Sequence, residues 1–118
     1  MLTIGHGIHI YLYLPYADMR NGADGLSGLV NSFMGQNPLS GDLFVFRNRR
    51  GNRLKLLYWD QDGWAIWSKH LQRGTFRLPT ASADGYSAQI DAATLTMILA
   101  GIDLRTVRRF KRFSVKSA

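Results

Sequence analysis

The run LFVFRNRRGNRLKLLYWDQDGWAIWSKHL, residues 43–71, decides how this chain folds. Three apolar, β-branched or aromatic stretches, Leu43 to Arg47, Arg53 to Trp59 and Trp64 to Leu71, are separated only by turn chemistry. Asn48-Arg49-Arg50-Gly51-Asn52 closes the first gap and Asp60-Gln61-Asp62-Gly63 the second. Connections this short make consecutive strands antiparallel neighbours, a meander, with glycine expected wherever the turn needs a positive φ. Gln72-Arg73-Gly74 reads as a third hairpin leading to a short strand near Thr75 to Leu78.

The same patterning extends outward. Toward the N-terminus, Ile8, Ile10, Leu12 and Leu14 alternate with His9, Tyr11 and Tyr13, the period of a half-buried strand, and Pro15 stops it. Leu26, Leu29, Val30, Phe33 and Met34 then recur at helical spacing, and Gly35 supplies the stop. Toward the C-terminus, Pro79 to Gly85 reads as a mobile loop, Ser87 to Ile90 as a brief strand, and Asp91 as the N-cap of a second helix. That helix buries Leu95, Ile98 and Leu99 and ends at Gly101. The expected fold is α+β: a mainly antiparallel sheet of about five strands with two helices on one face, the other face partly wet. The chain has 118 residues, 46% of them hydrophobic, which suits one core and one domain, residues 1–104.

Charge is divided unevenly. Residues 1–104 carry nine Lys or Arg against eight Asp, a balance of 9 − 8 = +1, whereas residues 105–118 carry six basic residues and no acid. That segment reads as a flexible basic tail. Eleven of the fifteen cations are Arg, the side chain shaped for bidentate contact with phosphate, so a nucleic-acid partner is expected. With no cysteine there is neither a disulfide framework nor a thiolate metal site. The apolar opening is far shorter than the ~20 residues of a membrane span and lacks the flanks of a signal peptide, so a cytoplasmic protein without membrane contact is expected.

The candidate nucleic-acid contacts are Arg47, Arg49, Arg50 and Arg53 around the first turn, Lys55 and Lys69 on the sheet, Arg73 in the third turn, and Arg108, Arg109, Lys111 and Arg112 in the tail. The tail cations are interleaved with Phe110 and Phe113, a pattern that offers phosphate contact together with stacking on unpaired bases. On the strand from Arg53 to Trp59, alternation puts Arg53, Lys55, Leu57 and Trp59 on one side. Asp18, Arg20 and Asp24 precede the first helix and suit capping or an ion pair, with a metal or partner site as the alternative. Trp59 and Asp60 belong to the second hairpin, as core packing and turn chemistry, with an exposed stacking ring or a partner motif as the alternative. Lys55 with Asp60 and Asp62 would suit a Mg²⁺-dependent nuclease only if the fold gathered them. His6, His9 and His70 lack zinc spacing, the glycines form no phosphate loop, and no nucleophile, base and orienter stand out. No cofactor is expected.

Asp18-Met19-Arg20, Gly22 and Asp24-Gly25-Leu26 are followed by Leu43 to Gly51, Lys55, Trp59-Asp60 and Gly63. Lys69, Leu71, Arg73-Gly74-Thr75-Phe76, Pro79 and Gly101-Ile102-Asp103 complete the series. In this order and spacing the chain resembles the TnpB accessory (Orf2-like) proteins of insertion-sequence 66 transposons over nearly its whole length. The resemblance implies a factor encoded beside a separate DDE transposase and needed for efficient movement of the element. It does not extend to the much longer RNA-guided nuclease that shares the TnpB name. The family commonly carries a basic residue at Asn21, Arg at His70, Glu at Gln72 and Trp at Leu104. The resemblance, together with the charge pattern, implies a non-enzymatic transposition factor that contacts DNA and the transposase of its own element. The alternatives are a transposase adaptor that uses the sheet face without touching DNA, and the metal nuclease.

Overall fold

The computed structural model describes residues 7–78 and 85–101. Among these residues five strands form one mixed sheet: β1 Ile10–Tyr13, β2 Leu43–Arg47, β3 Arg53–Asp60, β4 Gly63–His70 and β5 Ser87–Ile90, in the spatial order β4-β3-β2-β1-β5. The expected meander is β2-β3-β4, both of its pairs antiparallel. β5 is antiparallel to β1. β1 and β2 are parallel, with Ile10 opposite Leu43 and Leu12 opposite Val45, because the chain between them crosses over through a helix.

That helix, α1, spans Ala23–Leu29 and continues as a π-helical turn over Val30–Met34, closed by Gly35 at φ +64°. Leu26, Val30 and Met34, four residues apart, are the buried positions. Phe33, expected on the same stripe, is 47% exposed. An i→i+5 turn holds more residues than an α turn, so Phe33 falls behind the buried stripe. It meets Tyr86 instead, at 5.1 Å between ring centroids. The second helix, α2, spans Ala92–Leu99. Asp91 caps it by accepting from Thr94 N at 2.7 Å, and Gly101 follows at φ +76° with its amide on the Ile98 carbonyl.

The helices do not share a face. Leu26, Val30 and Met34 pack on Tyr13, Phe44, Phe46 and Leu57, whereas Leu95 and Ile98 pack on Ile10, Leu12, Val45, Leu54 and Leu56. The domain is therefore three-layered, and the wet sheet face expected from the sequence carries a helix. The reason lies in β2 and β3: Leu43 to Phe46 are all buried, as are Leu54, Leu56 and Leu57, so the central strands bear apolar side chains on both sides. Each buried Leu or Phe stabilises the fold by about 1.5–3 kcal/mol relative to exposure. Two helices on one face would leave the other set in water.

A second expectation also fails. Thr75 to Leu78 is not a strand. Gly74, at φ +74°, turns the chain back across the end of the sheet, Phe76 N donates to the Gly51 carbonyl at 2.8 Å, and the Phe76 ring enters the α2-side core. The second hairpin differs in detail as well: Gln61, not Gly63, takes the left-handed conformation, at φ +58°. The loop expected over residues 79–85 lies outside the described residues except for Gly85, as does the whole of 105–118. Among the described residues no helix is long and apolar enough to cross a membrane.

Candidate nucleic-acid interface

The turn between β2 and β3 is braced from within. Asn48 Oδ1 accepts from Arg53 N at 3.0 Å, and Asn48 Nδ2 donates to Asn52 Oδ1 at 2.7 Å. Gly51, at φ +75°, provides the reversal. With the base of the turn tied by two asparagines, Arg49 and Arg50 stand exposed at its tip. Arg53 follows at the start of β3, opposite His70 at the end of β4.

These side chains line a groove. One part, of about 450 Å³, is bounded by Ala17, Asp18, Met19, Asn48, Arg49, Arg50, Asn52, Arg53 and His70. A second part, of about 270 Å³, adds Lys55, Ser68 and Lys69 and shares Met19, Arg53 and His70 with the first. The groove thus runs from the turn across the ends of β3 and β4. His70 Nε2 lies 3.4 Å from Asn52 Nδ2.

The seven candidate cations in the described residues divide by what they touch. Lys55 Nζ donates to the carbonyls of Met19 at 2.7 Å and Asn21 at 3.0 Å, fixing the 18–21 turn on the sheet. Lys69 Nζ donates to the Leu99 carbonyl at 2.8 Å, a cation at the C-terminal end of α2, where the helix presents unpaired carbonyls. Arg47 Nη2 donates to the Leu14 carbonyl at 2.9 Å, and its guanidinium lies 5.1 Å over the Tyr16 ring. Its Nε is buried without a hydrogen-bond partner among the described residues. Arg49, Arg50, Arg53 and Arg73 are exposed, and none of these guanidinium groups has a hydrogen bond or ion pair to the described protein. Arg73 is not among the residues lining the groove. Arg108, Arg109, Lys111 and Arg112 lie outside the described residues.

At the rim, Asp18 and Arg20 form a fork. Arg20 Nη2 lies 2.7 Å from Asp18 Oδ2, Nε contacts both carboxylate oxygens at 3.1 Å, and Arg20 N donates to Oδ1 at 2.9 Å. The Arg20 side-chain and backbone hydrogen bonds, with its charge behind them, hold the Asp18 carboxyl down to about 2. The fork therefore keeps a carboxylate neutralised beside a basic groove. Asp24 occupies the first turn of α1, where a negative charge suits the helix dipole, but Asp18 caps the preceding turn rather than the helix.

The nuclease grouping is not assembled. Lys55 and Asp60 are five residues apart on an extended strand, about 17 Å, and alternation puts them on opposite faces. Among the described residues no group of three or more His, Asp or Glu side chains could hold a metal ion. Trp59 forms an edge-to-face pair with Trp64 across the second hairpin, at 5.0 Å and 76°, which accounts for both rings. Asn48, Asn52 and His70 are groove residues that the sequence did not mark as nucleic-acid contacts. The two asparagines bracketing an Arg-Arg-Gly turn were the available signal.

The sequence profile described as "IS66 Orf2 like protein" matches residues 8–109. Two curated relatives from Sinorhizobium fredii (strain NBRC 101917 / NGR234) align over most of their length. Uncharacterized protein y4hO is 39% identical over 89% of this chain and 90% of its own. Uncharacterized protein y4jC is 34% identical over 92% of each. No solved structure matches significantly.

Proposed function

The chain belongs to the IS66 Orf2-like family of transposition-associated accessory proteins, and from that premise we propose that it assists its element's transposase by contacting DNA, without catalysis of its own. The observation that carries the reading is the groove with Arg49, Arg50 and Arg53 on its wall, three permanent cations with no partner in the described protein. Three like charges on one groove wall repel one another, so an anion bound among them is favoured. Leaving three unpaired on a turn braced by Asn48 and Asn52 suits an anion supplied from outside, and Arg is the side chain that grips phosphate oxygens in pairs. Such contacts position a nucleic-acid backbone and carry little sequence information. The basic segment 105–118 adds reach to the same partner.

Lys55, Lys69 and Arg47 have internal carbonyl partners, so their share in binding is indirect: they hold the surfaces that present the other cations. The test is binding measured against salt on element-end DNA, random duplex and single strands, with and without transposase. Log K should fall linearly with log salt, by about 0.9 for each phosphate neutralised on duplex DNA. Removal of residues 105–118 should flatten that slope. An unchanged slope on truncation removes the tail from the proposal. Co-purification with transposase that survives nuclease and high salt, in a protein without measurable DNA affinity, replaces DNA contact by an adaptor role.

A further inference from the structure

We infer that Tyr16 is a base-stacking platform and that the groove beside it takes unpaired nucleic acid in preference to intact duplex. This rests on the proposed DNA contact and deepens it by naming the form of DNA.

Among the described residues Tyr16 is the most exposed large hydrophobic side chain, at 56%. It is nonetheless held. The Arg47 guanidinium lies 5.1 Å from the ring centroid on one face, and Arg47 Nη2 is itself fixed on the Leu14 carbonyl. The segment is fixed a second time by the hydrogen bond from Ala17 N to the Arg47 carbonyl, at 2.8 Å. A ring anchored through one face in this way leaves the other for a flat partner. The anchoring cation also strengthens stacking, since a guanidinium and a base can sandwich one ring.

The position matters as much as the exposure. Ala17, next in the chain, lines the groove, and the residues after Arg47 are Asn48, Arg49 and Arg50, which line it as well. The Ala17–Arg47 hydrogen bond therefore joins the aromatic platform to the phosphate-binding turn. Cations that track a backbone beside an aromatic ring that takes a base are the two components of single-strand recognition. In an intact duplex the base faces are stacked on one another and none is available to Tyr16. A single strand, or the frayed end of a duplex, offers both components at once.

The experiment compares oligothymidylate with a blunt duplex of random sequence, using the full chain and its Tyr16→Leu and Tyr16→Phe variants. Tyr16→Leu should weaken oligothymidylate binding about five- to a hundredfold, Tyr16→Phe should retain most of it, and duplex binding should not change. In the unaltered protein, photocrosslinking to an oligonucleotide bearing iododeoxyuridine should map to Tyr16, which keeps the test independent of how well the variants fold. Equal loss on both DNAs, no loss on the single strand, or crosslinks confined to other residues would overturn the platform while leaving DNA contact standing. Absence of binding to either DNA overturns the proposed DNA contact along with it.

Discussion

Lys55, near the start of β3, places its Nζ 2.7 Å from the carbonyl oxygen of Met19, thirty-six residues earlier in the chain, and 3.0 Å from that of Asn21. The ammonium group thereby ties the connection between β1 and α1 to the sheet and sets the wall of the groove.

Replacing this lysine by an isosteric apolar chain isolates the two bonds. Lys55→Met keeps the hydrocarbon packing and leaves two carbonyls without their charged donor. We expect a loss of about 2–3 kcal/mol, read as a lower denaturant midpoint at unchanged m. A midpoint within error of the parent would show that water replaces the lysine at no cost.

The Asp18–Arg20 fork predicts a pH dependence. The folded carboxyl titrates at about 2 against an ordinary value of 3.8, so its contribution to stability is fully present above about pH 4 and is lost as pH falls through the folded value. An NMR titration of the Asp18 carboxyl should show the depressed midpoint, and Arg20→Ala should return it to the ordinary range. Because Arg20 is almost fully exposed and Asp18 half so, added salt should erode the depression. An Asp18 midpoint indifferent to Arg20→Ala would assign the shift to another cause.

The Phe76 segment supplies a packing prediction. Phe76 is 6% exposed, although the chain around it forms no strand, and its amide reaches the Gly51 carbonyl. Phe76→Ala should cost about 3–5 kcal/mol through lost transfer and the cavity left behind. A Cβ at Gly51 would sit 3.4 Å from Thr75 and force a side chain into φ +75°, so Gly51→Ala should cost about 1 kcal/mol or more. Thermal or denaturant unfolding of the two variants checks both values, and a Phe76→Ala midpoint near the parent's would mean that the site collapses around the smaller side chain.

What the sequence made legible follows from what is local. The period of two in β1 and β3, the turns that bound β2, β3 and β4, the Asp91 cap and the Gly35 and Gly101 stops depend on neighbours in the chain, and each appears where the pattern puts it. The placement of α1 and α2 on opposite faces depends on how much apolar surface each side of β2 presents. The signal was in the sequence, since Leu43-Phe44-Val45-Phe46 is apolar without alternation, a mark of strands buried on both sides. The parallel β1–β2 pair and the Phe76 plug depend on pairings across long stretches of chain, which no short pattern encodes. In the groove, the arginine-rich turn was visible as charge. That Arg47, Lys55 and Lys69 reach carbonyls while Arg49, Arg50 and Arg53 reach none became visible only with the tertiary contacts.

That division is itself open to measurement. If Arg49, Arg50 and Arg53 serve an external anion, the triple alanine variant should keep its unfolding midpoint and lower the salt slope of duplex binding by about 2 to 3, the three side chains' share at about 0.9 each. Arg47→Met and Lys69→Met should do the reverse. Each removes a bond to a carbonyl, from Leu14 or Leu99, and should lower stability by about 1–3 kcal/mol. The salt slope should then move by less than one contact, provided binding is measured below the unfolding transition. The Arg47 variant carries one further expectation: freed of its cation, the Tyr16 ring loses its anchor, so oligothymidylate binding should weaken although Arg47 itself touches no phosphate. A triple variant that unfolds early, or Arg47 and Lys69 variants that each remove a full phosphate contact from the slope, would reverse the assignment of which cations build the domain and which face its partner.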